Sequence, residues 1–239
     1  MNSNKYKDYF TKDYLMGPNS IRLLEELLVK NPDAITGGTI LDLGCGKALT
    51  SVYIANETNA NTVYATDLWI SATENWETIQ EWKLEDKMIP IHANALDLPF
   101  ANDFFDAIVS IDSYHYYGCE EEFFAKKMLP LLKSGGHALI CVPGLKSELE
   151  QVPEIMSEWL EDAVDTFHGA NWWGKHIQQG CDDLIEVTVY ESDQFEACWQ
   201  DWIRRRSMLR HSYLVRLRIP RISPVRFCQK EKYAAMRKR

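Results

Sequence analysis

Short runs of β-branched and aliphatic residues alternate along the chain with longer stretches in which apolar positions recur every three or four residues. The short runs predict strands at Thr39–Leu43, Thr62–Thr66, Met88–His92, Asp106–Ile111, His137–Val142, Leu184–Tyr190 and Tyr213–Ile219. In the last of these, Val215, Leu217 and Ile219 alternate with Arg216 and Arg218, the period of two that a half-buried strand needs. Between the runs, Ile21, Leu24, Leu27 and Leu28 share one helical face behind Pro18-Asn19-Ser20, which reads as a helix cap. A second helix is expected over Glu120–Leu132, with Phe123, Phe124, Met128 and Leu131 inward, stopped by Ser134-Gly135-Gly136. Strands alternating with helices predict an α/β fold, a doubly wound and mostly parallel sheet, here of seven strands.

The alternation breaks after Val142. Residues 143–180 insert a helical stretch, Glu148–Phe167, and the segment Asn171-Trp172-Trp173-Gly174-Lys175-His176. In open α/β sheets ligands bind beyond the carboxyl ends of the strands, so an aromatic-rich insertion is well placed as a lid; a helical hairpin padding the sheet edge is the alternative. The expected organisation is one domain over residues 1–239: an N-terminal covering segment (1–34), a ligand-binding half (35–142), the insertion (143–180), and the last strands with a basic tail (181–239).

A chain of 239 residues with 46% hydrophobic and 26% charged residues is that of an ordinary globular protein, not of a disordered or disulfide-framed one. No apolar run approaches the roughly 18 residues of a membrane-spanning helix. The start, Met1-Asn2-Ser3-Asn4-Lys5, lacks the apolar stretch of a secretory signal. The six cysteines form no Cys-x-x-Cys pair, so reduced thiols in a cytoplasmic protein are expected and no metal site. The net charge of -9 is uneven: residues 203–239 hold 13 Lys/Arg and only Glu231, while the first 202 residues hold 34 acidic and 13 basic side chains. The tail is suited to an anionic partner such as RNA. The competing strand reading absorbs Arg216 and Arg218, so nucleic acid is not the favoured partner; Arg204-Arg205-Arg206 and Arg237-Lys238-Arg239 stay outside that account. No oligomeric state follows from the sequence.

The chemistry concentrates in Thr39-Ile40-Leu41-Asp42-Leu43-Gly44-Cys45-Gly46-Lys47-Ala48, where an apolar strand runs into a Gly-x-Gly turn and a helix over Ala48–Asn56. Gly44 and Gly46 allow a tight turn and close backbone approach to a ligand, and the helix N-terminus attracts a negative group. Asp67 ends the second strand, where a carboxylate pairs with ribose hydroxyls. A dinucleotide site requires a third glycine at position 49, which is Leu, so the oxidoreductase reading weakens. Asp42 before the turn suits a cofactor bearing positive charge.

Asp42-Leu43-Gly44-Cys45-Gly46 resembles motif I of the class I S-adenosylmethionine-dependent methyltransferases. Asp67, with Leu68 beside it, resembles their ribose-binding acid. Asn94-Ala95-Leu96-Asp97-Leu98-Pro99-Phe100 resembles their adenine-holding segment, and Phe105–Ser110 with Leu132–His137 resembles the strand-four motif and the turn before strand five. The likeness covers about residues 35–142, with Ala48, Asn94 and Ser134 where the family commonly has Gly, Asp and Pro. It implies S-adenosyl-L-methionine as cofactor, held by Asp42, Gly44, Cys45, Gly46, Asp67, Leu68, Asn94, Ala95 and Leu96.

After strand four comes Ile111-Asp112-Ser113-Tyr114-His115-Tyr116-Tyr117, without the Asn/Asp-Pro-Pro-aromatic motif that members methylating exocyclic or amide nitrogens resemble one another in. The segment is more similar to methyltransferases of quinones, sterols and amines, which implies a small-molecule acceptor and in-line methyl displacement. A protein or RNA methyltransferase steered by the tail and a silent cofactor-binding subunit are the alternatives. His115 and Asp112 are the nearest candidates for a base. His115 titrates near neutrality unless it is a packed histidine, and Asp112 reads equally as a cap or a cofactor contact. Tyr6, Tyr9, Phe10 and Tyr14, together with Trp159, Trp172 and Trp173, line an acceptor pocket or simply fill core.

Overall fold

The computed structural model describes residues 2–11, 13–146, 148 and 166–207. Its centre is a five-stranded, all-parallel sheet: β1 (Thr39–Leu43), β2 (Thr62–Asp67), β3 (Met88–His92), β4 (Phe105–Ile111) and β5 (Leu132–Cys141), in the spatial order β3-β2-β1-β4-β5. The chain winds outward from β1 through β2 to β3, then crosses back to β4 and β5. The order therefore reverses between β1 and β4, which opens a crevice at the carboxyl ends of those strands.

Strand alternation sorts the core into two layers. Ile40, Val63, Ala65, Ala107 and Val109 face one layer, with α1 (Ser20–Lys30) and α2 (Leu49–Glu57). Leu41, Leu43, Phe105 and Ile108 face the other, with Phe123, Met128 and Trp173. α3 (Ala72–Glu81) follows β2, held by a capping box between Ser71 and Glu74. Asn19 caps α1 as expected, its Oδ1 accepting from Arg22 N at 3.3 Å.

Two glutamates that α1 buries act as clasps. Glu25 accepts from the backbone and hydroxyl of Ser3, tying down the 3₁₀ turn Ser3–Tyr9. Glu26 accepts from Ser192 Oγ, Asp193 N and Gln194 N, just ahead of the last described helix. These bonds hold both carboxyls below the usual carboxylate range despite the opposing pull of burial.

Several expectations are corrected. Glu120–Leu132 is not one α-helix but a π-helical turn, Phe124–Met128, followed by a 3₁₀ turn, Leu129–Leu131; Pro130 has no N–H to continue an α-helical ladder. β5 starts at Leu132 rather than His137, because a bulge between Phe105 and Ala107 lets Leu132 pair early. Leu184–Tyr190 forms no strand: no described segment pairs with it, and Leu184 is 76% exposed. The described sheet thus has five strands rather than seven, and the seventh, Tyr213–Ile219, lies outside the described residues, as do nearly all of Glu148–Phe167 and the tail from 208. The described part of the insertion contains a parallel pair, β6 (Gly144–Leu145) with β7 (His168–Gly169), then α4 (Ala170–Gln178) carrying Trp172 and Trp173. In α5 (Phe195–Ser207), Cys198 and Trp199 are buried, and the helix is tied to α1 through Arg22 and Asp201.

Candidate active site

The crevice is an open cleft over the carboxyl ends of β1, β2 and β4. Its floor is the turn after β1. Gly44 N and Cys45 N both donate to Thr66 O, at 2.8 and 3.1 Å, which folds the turn back over β2. Gly44 and Gly46 have φ of +76° and +55°, and a Cβ on Gly44 would lie 1.7 Å from Ser113 Oγ. Only glycine leaves that space. Ala48, where the resemblance predicts a third glycine, also sits at φ +60° and opens α2, whose first residues Leu49 and Thr50 close the floor.

Asp67 is the hinge of the cleft. Its Oδ2 accepts from Gly46 N at 2.9 Å, and its Oδ1 accepts from Trp69 N and Ile70 N at 2.7 and 2.8 Å. The carboxylate therefore braces the turn and the loop after β2 at once. The carboxylate also lines the cleft. Leu68 and Ala95 add apolar wall.

Tyr14, Met16, Gly17 and Pro18 lie over the cleft, Met16 reaching to Gly46 and Gly17 packing against Asp112; a Cβ on Gly17 would fall 2.1 Å from Asp112 Oδ2. Tyr14 belongs to the cleft, whereas Tyr9 stands behind it on Trp82, ring centroids 4.4 Å apart. Among the described residues, nothing from the insertion lines the cleft.

Three cofactor-binding candidates, Asp42, Asn94 and Leu96, do not line the cleft. Asp42 is 1% exposed behind the turn, its Oδ2 accepting from Thr50 and Ser51 hydroxyls at 2.6 Å each, so it clamps β1 to α2 rather than facing a ligand. Burial pushes its carboxyl up to about 6. Asn94 spends its Oδ1 on Leu96 N at 3.0 Å, shaping the loop; neither residue lines the cleft, where Ala93 and Ala95 do.

His115 is corrected as a base. It is 1% exposed, both ring nitrogens lack a partner among the described residues, and it packs 4.0 Å from Tyr116 and 5.8 Å from Phe167. Burial alone pushes its pKa down to about 3, so it stays neutral and does not reach the cleft. Asp112 is the candidate that does. It leaves β4 at φ +56°, its N–H donating to Cys141 O at 2.8 Å, and its carboxyl faces the cleft with no hydrogen-bond partner among the described residues. Burial pushes that carboxyl up to about 8. Ser113 and Tyr117 support the same corner: Tyr117 Oη lies 2.8 Å from Ser110 Oγ and donates to Leu43 O at 3.3 Å. Trp69 and Tyr116 form an aromatic wall, their rings 5.1 Å apart.

Comparison with known proteins agrees with this layout. Residues 41–140 match the family described as "Methyltransferase domain". Methyltransferase GfsG of Streptomyces halstedii is 26% identical over 168 residues, covering 69% of this chain and 60% of that protein, so the chain spans under two thirds of that relative. Among solved structures, phosphoethanolamine N-methyltransferase 2 of Haemonchus contortus, in complex with S-adenosyl-L-methionine, superposes with a TM-score of 0.67 at 16% identity, over 100% of this chain and 53% of that one. YcgJ of Bacillus subtilis gives 0.51 at 17% identity over 65% of each chain. The doubly wound order, the glycine turn braced by Asp67 and the matched residues converge: over residues 41–140, under half of its length, the chain is similar to the family described as "Methyltransferase domain".

Proposed function

We propose that the protein transfers a methyl group from S-adenosyl-L-methionine to a small-molecule acceptor. The observation that carries this reading is the convergence of the glycine turn, Asp67 and the unpaired Asp112 on one roofed cleft. The residues fit the cofactor: a cradle that any Cβ at position 44 would fill, a carboxylate lining the cleft at the tip of β2, and the N-terminus of α2 to receive a carboxylate. In this reading Asp67 holds the ribose, Leu68 and Ala95 hold the adenine, and Gly44, Cys45 and Gly46 pass under the methionine portion. The bound cofactor supplies a methyl on a sulfonium, a leaving group that needs no acid.

The chain has then to align the acceptor and exclude water, and orientation of this kind contributes up to roughly 7–11 kcal/mol to lowering a barrier. The roof over Tyr14–Pro18 and the wall of Trp69 and Tyr116 serve exclusion. The covering of the cleft by Tyr14, Met16, Gly17 and Pro18 supports a compact acceptor over a macromolecular one. The test is incubation of the full chain with a deuteromethyl-labelled donor and a metabolite extract, read by mass spectrometry. A labelled small molecule is expected. Label confined to added RNA or protein would refute the acceptor class.

A further inference from the structure

Asp112 narrows the acceptor further, on the reading just proposed. A left-handed backbone residue is costly for anything but glycine, asparagine or aspartate, and here it turns the carboxyl out of β4 into the cleft. The turn is anchored, because the Asp112 N–H is spent on Cys141 O in the neighbouring strand. The carboxyl rests against the Cα of Gly17 and has no donor among the described residues. The other charged groups lining the cleft are Asp67 and Lys47. Asp67 is engaged by three backbone N–H groups, and Lys47 forms no ion pair with either acid among the described residues. Trp69 and Tyr116 line the same cleft, and ring faces attract cations.

A carboxyl with no donor among the described residues suits a cationic partner. Burial alone raises it to about 8, and a cation beside it would return it to the ionised form. Neutral alcohols, phenols and carbon acids bring no such charge.

We propose that the acceptor is an amine, bound as its ammonium between the Asp112 carboxylate and the rings of Trp69 and Tyr116, with Asp112 taking one N–H proton before methyl transfer. The proton passes to a carboxylate oxygen and leaves the nitrogen lone pair free. The N–C bond forms as the C–S bond breaks, and the bonding pair of the latter stays on sulfur. The products are an N-methylammonium and a neutral thioether, and Asp112 releases its proton to water. Asp112 in this scheme both selects the charge and prepares the nucleophile.

The experiment is calorimetry on the full chain saturated with S-adenosylhomocysteine, using two pairs of near-isosteres: 2-phenylethylamine with 2-phenylethanol, and choline with 3,3-dimethylbutan-1-ol. At least one cation is expected to bind about tenfold or more tightly than its neutral partner. Asp112→Asn is expected to bring that pair to within about threefold while leaving S-adenosylhomocysteine affinity unchanged. Gly17→Ala, whose Cβ would push the Asp112 carboxyl aside, is a second variant and is expected to weaken the same preference. Equal binding within both pairs, no binding by any of the four, or a preference that survives Asp112→Asn overturns the proposal. Loss of S-adenosylhomocysteine affinity in Asp112→Asn without loss of the preference overturns it too, and assigns the carboxylate to the donor's own ammonium. Failure of the unmodified chain to bind S-adenosylhomocysteine strikes the methyl-transfer reading itself, before any amine is added.

Discussion

Asp67 carries two burdens that a single substitution separates. Alanine at this position removes three hydrogen bonds: from Gly46 N at 2.9 Å, Trp69 N at 2.7 Å and Ile70 N at 2.8 Å. Hydrogen bonds to a charged group contribute about 1.5–3 kcal/mol each. The three share one side chain at the edge of a cleft, where water can reach the vacated donors, so their sum is not lost. A net loss of about 2–4 kcal/mol is expected, which lowers the melting temperature of a chain this size by roughly 5–15 °C. Asn in place of Asp keeps one acceptor oxygen and is expected to lose about half as much. The second burden is the ribose. In calorimetry with S-adenosylhomocysteine, the folded Ala variant is expected to bind about 1.5–3 kcal/mol more weakly, roughly tenfold to a hundredfold. A variant that melts with the unmodified chain shows that the carboxylate does not brace the turn. A folded variant with undiminished affinity shows that it does not hold the ribose. Either outcome refutes the reasoning at the corresponding step.

Two glycines with nearly the same φ separate strain from crowding: Gly135→Ala, with nothing near its Cβ, is expected to cost about 1–2 kcal/mol, and Gly44→Ala about 2–5 kcal/mol because of Ser113, in urea unfolding; equal losses would remove the steric argument. Asp112 is protonated in the folded state up to about pH 8 but ionises in the unfolded chain above about pH 4, so its burial costs stability progressively across that window. Asp112→Asn is therefore expected to raise the melting temperature at pH 8 and to leave it nearly unchanged at pH 4, and a pH-independent difference would count against a raised carboxyl at this position. Asp201 accepts from Arg22 Nε at 2.7 Å and from Asn19 Nδ2 at 2.8 Å, joining α5 to the start of α1. Its replacement by Ala is expected to cost about 1–3 kcal/mol in thermal melts, and an unchanged melting temperature would mean α5 docks through its apolar face alone.

Much of the frame is legible in the chain because local pattern decides it. Four of the five central strands fall within a residue of their expected bounds, and the glycine turn, the cap at Asn19 and the acid at the tip of β2 stand where their neighbours in sequence place them. Leu184–Tyr190 shows the limit of that logic. Its alternation is strand-like, yet a strand exists only by pairing, and no described segment offers it an edge. Pattern likewise missed the break at Pro130, whose effect depends on how β5 joins the sheet.

The site divides in the same way. Gly44, Gly46 and Asp67 are readable because strand, turn and acid lie in fixed sequence relation. Asp112 and His115, three residues apart, were equal candidates on paper, and the 3₁₀ turn Tyr114–Tyr116 sends one into the cleft and the other into the packing around Tyr116 and Phe167. Nor does any local signal show that Gly17 roofs Asp112, or that Glu25 and Glu26 would be buried as clasps. The sequence by itself determined the strand–helix alternation, the turn and the family likeness, since backbone conformation and hydrophobic period act over a few residues. Tertiary structure alone decided which acid is left without a donor and what covers it, because desolvation and partnering depend on segments distant in the chain.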